Sequence, residues 1–131
     1  MEKLRYFGTP IQLVENLPQV GSFVVDIYKI DKYNITIDCN YFNRRIDYLI
    51  NIEGEFILGH GHYKLSKKNK HIIIGGEVII NSNGKIIYIN NNSGHYQPSI
   101  DKFKEFYNYL TSETNLLSNN VIVEHYDWLN L

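Results

Sequence analysis

Three short segments hold the residue types that acid–base or recognition chemistry needs. In Gly59-His60-Gly61-His62, two imidazoles stand two positions apart. On an extended strand such residues share a face, so His60 and His62 would present half of a metal site that needs a third ligand from elsewhere. In Gly75-Gly76-Glu77, a carboxylate directly follows two glycines inside an Ile-rich stretch. A carboxylate turned inward without a partner is costly. Glu77 therefore lies on a solvent face, or over a polar cleft that the glycines let a ligand or another backbone approach. The third segment, Asn90 to Ser99, leads into the strongest helical pattern of the chain. Its Ser93 and Ser99 hydroxyls, with the backbone N–H groups of a helix start, offer an edge that favours anions. His95 adds a titratable ring and Tyr96 an aromatic platform.

Each segment also has a plainer reading: exposed strand histidines, a solvated glutamate, and a capped strand-to-helix loop. The chemical reading is the more specific one. It expects His62, Glu77 and His95 to converge on one concavity, as the catalytic groups if the protein is an enzyme. Gly76, Asn92, Ser93, Gly94, His95 and Tyr96 would bind the ligand, with Tyr96 stacking on a ring and the backbone at Gly94 and nearby lysines meeting phosphate. No bound metal is expected, because no correctly spaced third ligand accompanies His60 and His62, and no cofactor motif of the P-loop or dinucleotide type is present.

The order of the segments resembles a known module. A His-containing strand, a Gly-Glu strand, an Asn-Gly hairpin and Ser-Gly-His-Tyr-x-Pro before a helix look like a module of plant IQ-motif calmodulin-binding proteins. A similar module stands at the C-terminal ends of bacterial polymorphic toxins. Here His62, Gly76-Glu77, Ser93-Gly94-His95-Tyr96 and Pro98 carry the likeness, over about residues 59–123. The IQ motif itself is absent, so calmodulin binding does not carry over. Tyr63 and Lys64 stand where the module has small hydroxyl residues. The start of a cupin pattern is also visible, with Gly54 before the His-x-His. It stops there, because Lys67 and Lys68 occupy the region where a cupin places Glu and no second motif follows.

These residues need strands and one helix to position them. Alternating apolar residues predict strands over 23–30, 33–39, 45–52, 54–62, 71–80 and 85–90, with a short one near 11–14 and a last one at 121–123. The 54–62 strand carries both histidines, and Gly75-Gly76 marks a bulge or a close backbone approach. Asn83-Gly84 predicts a two-residue type I′ hairpin. Ser99 caps a helix in which Ile100, Phe103, Phe106, Tyr107 and Leu110 form an apolar stripe. Pro10 and Pro18 leave residues 1–22 as an irregular wrapping arm, and Tyr126, Trp128 and Leu129 are expected to dock on the body. The expected fold is one α+β domain over 1–131: a mostly antiparallel curved sheet or partial barrel with one C-terminal amphipathic helix.

Composition narrows the function classes. The 131 residues carry 13 Lys and Arg against 14 Asp and Glu, and this balance argues against a nucleic-acid coat or a polybasic membrane anchor. The apolar share of 44% is that of a globular domain, not a disordered chain. Cys39 stands alone, so no disulfide or paired-cysteine metal motif can form within the chain, and it reads as a small buried apolar residue. No apolar run approaches a membrane span and no signal sequence is visible, so a cytoplasmic protein is expected. The Ile, Asn, Lys and Tyr richness is that of an AT-rich genome, such as a low-GC bacterium or its phage. The leading functional expectation is a small binding module holding a polar, nucleotide-like ligand, for sequestration or sensing of a signalling nucleotide. The alternative is a toxin-like enzyme with Glu77 or His95 as general acid or base on a nucleotide, nucleic-acid or protein substrate. An interaction protein using its aromatic C-terminus is a third class. A homo-oligomer is left open, and neither membrane nor nucleic acid is expected as a partner.

Overall fold

Ile74–Ile80, rich in β-branched residues, forms a central strand in the computed structural model, which describes residues 3–17, 21–25 and 28–130. The elements in chain order are β1 (Ile11–Gln12), β2 (Phe23–Val24), β3 (Tyr28–Ile30), β4 (Ile35–Ile37) and a 3-10 turn (Cys39–Tyr41). There follow β5 (Arg45–Ile50), β6 (Phe56–His60), α1 (His62–Leu65), β7 (His71–Ile72), β8 (Ile74–Ile80), β9 (Ile86–Asn90), α2 (Ile100–Glu113) and β10 (Leu117–Glu124). Six strands make the main sheet in the order β10-β9-β8-β5-β6-β2. The pairs β1/β7 and β3/β4 form two small sheets beside it. The expected α+β class is what the chain adopts, as an open sheet with one long helix.

Strand periodicity decides what each face carries. On β5 and β8 the registered pairs Ile46/Val78 and Ile50/Ile74 point to one side, where they pack with Tyr48, Ile80 and Ile89 under Phe103, Phe106 and Leu110 of α2. Burying side chains of this size contributes roughly 1.5 to 3 kcal/mol each before conformational entropy is subtracted. Ser99 caps α2 as expected, its hydroxyl accepting from Lys102 N at 3.2 Å. Arg45, Asp47 and Leu49 of β5 and Gly75 and Glu77 of β8 point to the opposite side. That second face is half covered by a smaller core of Leu49, Leu65, Ile72 and Tyr96, closed by Ile11, Leu13 and Tyr63. The N-terminal arm wraps this layer: Leu13 N donates to Lys70 O, and Val14 N and Glu15 N both donate to His95 O.

Several expectations are corrected. The β6 strand ends at His60, because Gly61 takes φ 90° and turns the chain into α1; His62 therefore opens a helical turn and does not share a strand face with His60. The 71–80 strand breaks at Ile73, not at the glycines, since Ile73 N leaves to donate to Ile50 O. The Asn83-Gly84 hairpin is not type I′. Only Gly84 has positive φ, and Asn81 N donates to Lys85 O around a three-residue loop, with a register shift beside it. Asn81 Oδ1 accepts from both Asn83 N and Lys85 N, which stabilises the longer loop locally. The last strand is longer than expected and runs parallel to β9, because α2 forms the crossover between them. Cys39 is exposed in the 3-10 turn that Asp38 caps. Tyr126 and Trp128 dock, but Leu129 is exposed. Asp26 and Ile27 of the expected 23–30 strand lie outside the described residues, as does Pro18 of the arm. No helix among the described residues is long and apolar enough to cross a membrane.

The glycine signal in β8 resolves into two contacts. A Cβ at Gly75 would press on the His62 ring at 3.1 Å, and one at Gly76 would overlap the Asn90 carbonyl oxygen. The second neighbour is backbone and has no rotamer to give, so Gly76→Ala is expected to lower stability by about 3 kcal/mol or more. Gly94→Ala, where the neighbour is the movable Leu17 Cδ1 at 3.3 Å, should cost under about 1 kcal/mol. Urea unfolding of the two variants measures the contrast. Alkali supplies a second check. Burial pushes the Tyr48 phenol well above the ordinary tyrosine value, and Tyr6, Tyr28, Tyr88, Tyr96 and Tyr109 shift upward chiefly for the same reason. The unfolded chain ionises first, so stability should be full below about pH 10 and fall steadily as pH rises beyond it, which urea midpoints across that range would record.

Candidate functional site

The uncovered half of the second face carries a connected polar group centred on Glu77. β5 and β8 set Asp47 and Glu77 directly opposite each other, an arrangement that like charges disfavour. Each carboxylate is held by its own donors. Asp47, which is buried, accepts from Gly61 N at 2.7 Å and has His60 Nδ1 at 3.5 Å and His62 Nδ1 at 3.9 Å. Glu77 Oε1 accepts from Asn90 Nδ2 at 3.0 Å and Asn92 Nδ2 at 3.1 Å, with Arg45 Nη1 at 3.9 Å.

Asn90 is the organising side chain. It is fully buried, and its Oδ1 accepts from Glu77 N at 2.7 Å and Asn92 N at 2.9 Å while its Nδ2 also reaches Tyr88 Oη at 2.9 Å. The amide thus ties strand β8, strand β9 and the following loop to one carboxylate. The Arg45 guanidinium lies 4.5 Å from the centre of the Tyr88 ring, a contact that holds a cation beside the acid. The Glu77 side chain is 20% and the Arg45 side chain 48% exposed. The arrangement therefore presents an oriented carboxylate and a guanidinium to solvent from rigid strands, which suits recognition of a ligand with both N–H donors and an anionic group.

The structure brings together four of the residues that the sequence singles out. His62 Nε2 donates to Gly76 O at 2.8 Å, since a carbonyl only accepts. Glu77 and Asn92 bond directly. The Ser-Gly-His-Tyr residues go elsewhere. Tyr96, expected as an exposed platform, is 1% exposed. Its hydroxyl meets Asn69 O at 2.6 Å and Ser66 Oγ at 2.9 Å beneath α1, because the ring fills the small second core. His95, 8% exposed, donates from Nε2 to Leu17 O at 2.8 Å and stacks on Tyr63 with ring centres 6.0 Å apart. It serves as a clasp for the arm. Beside it lies a recess of about 350 Å³, lined by Tyr63, Lys64 and Lys68 with Asn16, Leu17 and Ser22 of the arm. Gly94 is half-buried against Leu17, and Ser93 is buried with no hydrogen-bond partner for its Oγ among the described residues. Among the described residues no group of three His, Cys, Asp or Glu side chains is arranged to hold a metal ion.

Nothing in the sequence marks Arg45, Asp47 and Tyr88 as site residues, and Asn90 stands out only as the first residue of the Asn90–Ser99 segment. Arg45 and Asp47 do alternate with Ile46, Tyr48 and Ile50, a pattern that reads as an ordinary solvent face until the partner strand is known. Asn90 and Asn91 sit in a triple-asparagine run whose tasks diverge. Asn91 uses its amide on Pro98 O, Tyr126 O and Tyr126 N, and its carbonyl accepts from Trp128 Nε1, pinning the C-terminus. Compared with known proteins, the chain matches no family model, no curated protein and no solved structure.

Two substitutions test this division of labour. His95→Ala should cost about 1 to 3 kcal/mol, because the Leu17 carbonyl loses its donor, and should speed proteolysis of the arm. Ser93→Ala should leave stability unchanged or raise it by up to about 1 kcal/mol, since it removes a buried hydroxyl that bonds to nothing among the described residues. A clear loss of stability in Ser93→Ala, measured by chemical denaturation, would show that the hydroxyl has a partner in solution.

Proposed function

We propose that this protein is a small binding module that holds a polar, nucleotide-like ligand on the open half of the second sheet face, for sequestration or sensing. The observation that carries the reading is the fixing of Glu77: one carboxylate oxygen is taken by the Asn90 and Asn92 amides, and the group is held toward solvent beside Arg45. The remaining oxygen, Oε2, is oriented to accept from an N–H group of a nucleobase edge, and the guanidinium meets a phosphate. Asn90 and Arg45 sit on strands and Asn92 on a loop that the Asn90 amide pins, so little ordering is left for the ligand to bring about. The likeness of residues 59–123 to the plant and toxin module belongs to the same proposal, since Gly76-Glu77 and Asn92 lie within that stretch.

The toxin-like enzyme, with Glu77 or His95 as general acid or base, is the alternative. It is less well supported because His95 Nε2 is engaged by Leu17 O and His62 Nε2 by Gly76 O. Thermal-shift titration with adenine and guanine mono-, di- and triphosphates and their cyclic monophosphates tests the proposal. At least one should stabilise the protein, by about 2.7 kcal/mol at a hundredfold excess over Kd. Glu77→Gln and Arg45→Ala should each weaken that binding about tenfold or more while unfolding within about 1 kcal/mol of the parent. Loss in Tyr63→Ala but not in Glu77→Gln would move the ligand to the lysine-lined recess. Stabilisation by none of the nucleotides would refute the reading, and turnover of one would establish the enzyme.

A further inference from the structure

A second cleft lies away from Glu77, between the β8–β9 hairpin, the C-terminal half of α2 and the start of β10. Its volume is about 610 Å³, inside the range of about 300 to 1,000 Å³ typical of small-molecule sites. We propose that it binds a neutral polyhydroxy ligand of mono- or disaccharide size.

The lining carries little charge. Lys85 is the one charged side chain among the described residues that line the cleft, and no carboxylate among them faces it. Its ammonium donates to Tyr33 O at 2.5 Å and Asn115 O at 2.7 Å, which ties the hairpin to the α2–β10 connection. With two of its three donors engaged, Lys85 acts as a staple more than as an anion site. No carboxylate there offers a cation a counter-charge, and Lys85 leaves a phosphate a single free donor.

The remaining polar lining is amide and hydroxyl. Asn81, Asn83, Asn115 and Asn119 line the cleft together with Thr111 and Ser118. An asparagine amide offers an acceptor and a donor side by side, and each hydroxyl of a sugar is likewise both donor and acceptor, so adjacent sugar hydroxyls can be met in pairs. The Asn81 amide is already oriented: its Oδ1 is engaged by Asn83 N and Lys85 N, leaving Nδ2 as a positioned donor. Asn83 and Asn119 are exposed, so their amides reach a ligand without first leaving the interior.

The apolar part of the lining completes the match. Tyr107 is half-buried on α2 and lines the cleft with Leu117 and Val121 of β10. An aromatic ring has a negatively polarised face that attracts the positively polarised C–H groups of a pyranose ring. An aromatic surface, neutral amides and hydroxyls on separate rigid elements form a set suited to a sugar. A nucleotide's phosphate would meet only the one remaining donor of Lys85. No residue of this cleft belongs to the Glu77 group.

Amide chemical-shift titration of the intact protein with glucose, galactose, N-acetylglucosamine and maltose tests it, with inorganic phosphate as the anionic comparison. At least one sugar should give saturable shifts confined to residues 81–85 and 107–121. The Asn83→Ala/Asn119→Ala double variant alters only exposed side chains, and it should raise the Kd about tenfold or more while leaving the melting temperature in place. The proposal is wrong if no sugar gives saturable shifts or if the shifts map elsewhere. It is equally wrong if the double variant binds as the parent does, or if phosphate saturates at Lys85 more tightly than every sugar.

Discussion

At Gly76 one hydrogen atom in place of a side chain lets two strands and a loop meet. The backbone of Asn90 and Asn91 crosses over this residue so closely that a methyl group would occupy the place of the Asn90 carbonyl oxygen. The same carbonyl accepts from the Tyr48 hydroxyl at 2.8 Å, so the crossing is anchored from β5 below as well as permitted by β8. A buried carbonyl needs such a partner. Tyr48 also contributes its ring to the core under α2, which links the helix-covered face of the sheet to the crossing.

The course of the chain beyond Asn90 depends on that crossing. With its carbonyl placed by Tyr48, Asn90 turns its amide to the opposite face, where it binds the Glu77 backbone and side chain together. Asn91 is left facing the C-terminal segment, and the Ser93–Tyr96 stretch is delivered to the second core, where Tyr96 and His95 hold α1 and the arm. The polar group on the open face is therefore a product of backbone packing close by. It is built at a cost, since Asp47 and Glu77 oppose each other and each requires separate donors. Structures keep such opposed charges where the compensation is local and complete, as it is here with two amides on one acid and a backbone N–H with two imidazoles beside the other.

Element types were legible because they follow from periods of two and of 3.6 residues along the chain. The α2 stripe of Phe103, Phe106 and Leu110, its Ser99 cap, the strand alternation of Arg45 to Ile50 and the close approach at the glycines all follow from local steric and solvation rules. So does the suspicion attached to Glu77, because a carboxylate in an Ile-rich strand must be solvated or paired. The failures have local causes too. Gly61 adopts a positive φ that ends β6 and carries His62 off the strand, and an Asn81 side chain that caps two backbone amides converts the hairpin loop to three residues.

Which side chains meet was a matter for tertiary structure alone. Residue type nominates His62, Glu77, His95 and Tyr96, since each bears a group that can act, but polarity does not say whether a group is spent on the fold. His95 and Tyr96 are spent, one on the arm's carbonyl and one beneath α1, through contacts spanning 78 and 27 residues. Arg45, Asp47 and Tyr88 looked like ordinary strand residues because their significance lies in register: Asp47 faces Glu77, and Arg45 reaches Tyr88, only once β5, β8 and β9 are aligned. The periods, the cap and a short set of reactive groups could be read from the chain, since they depend on residue type and on neighbours a few residues apart. Partnership came from the alignment of strands distant along the chain, because a shift of one residue in register would send every one of these side chains to the other face.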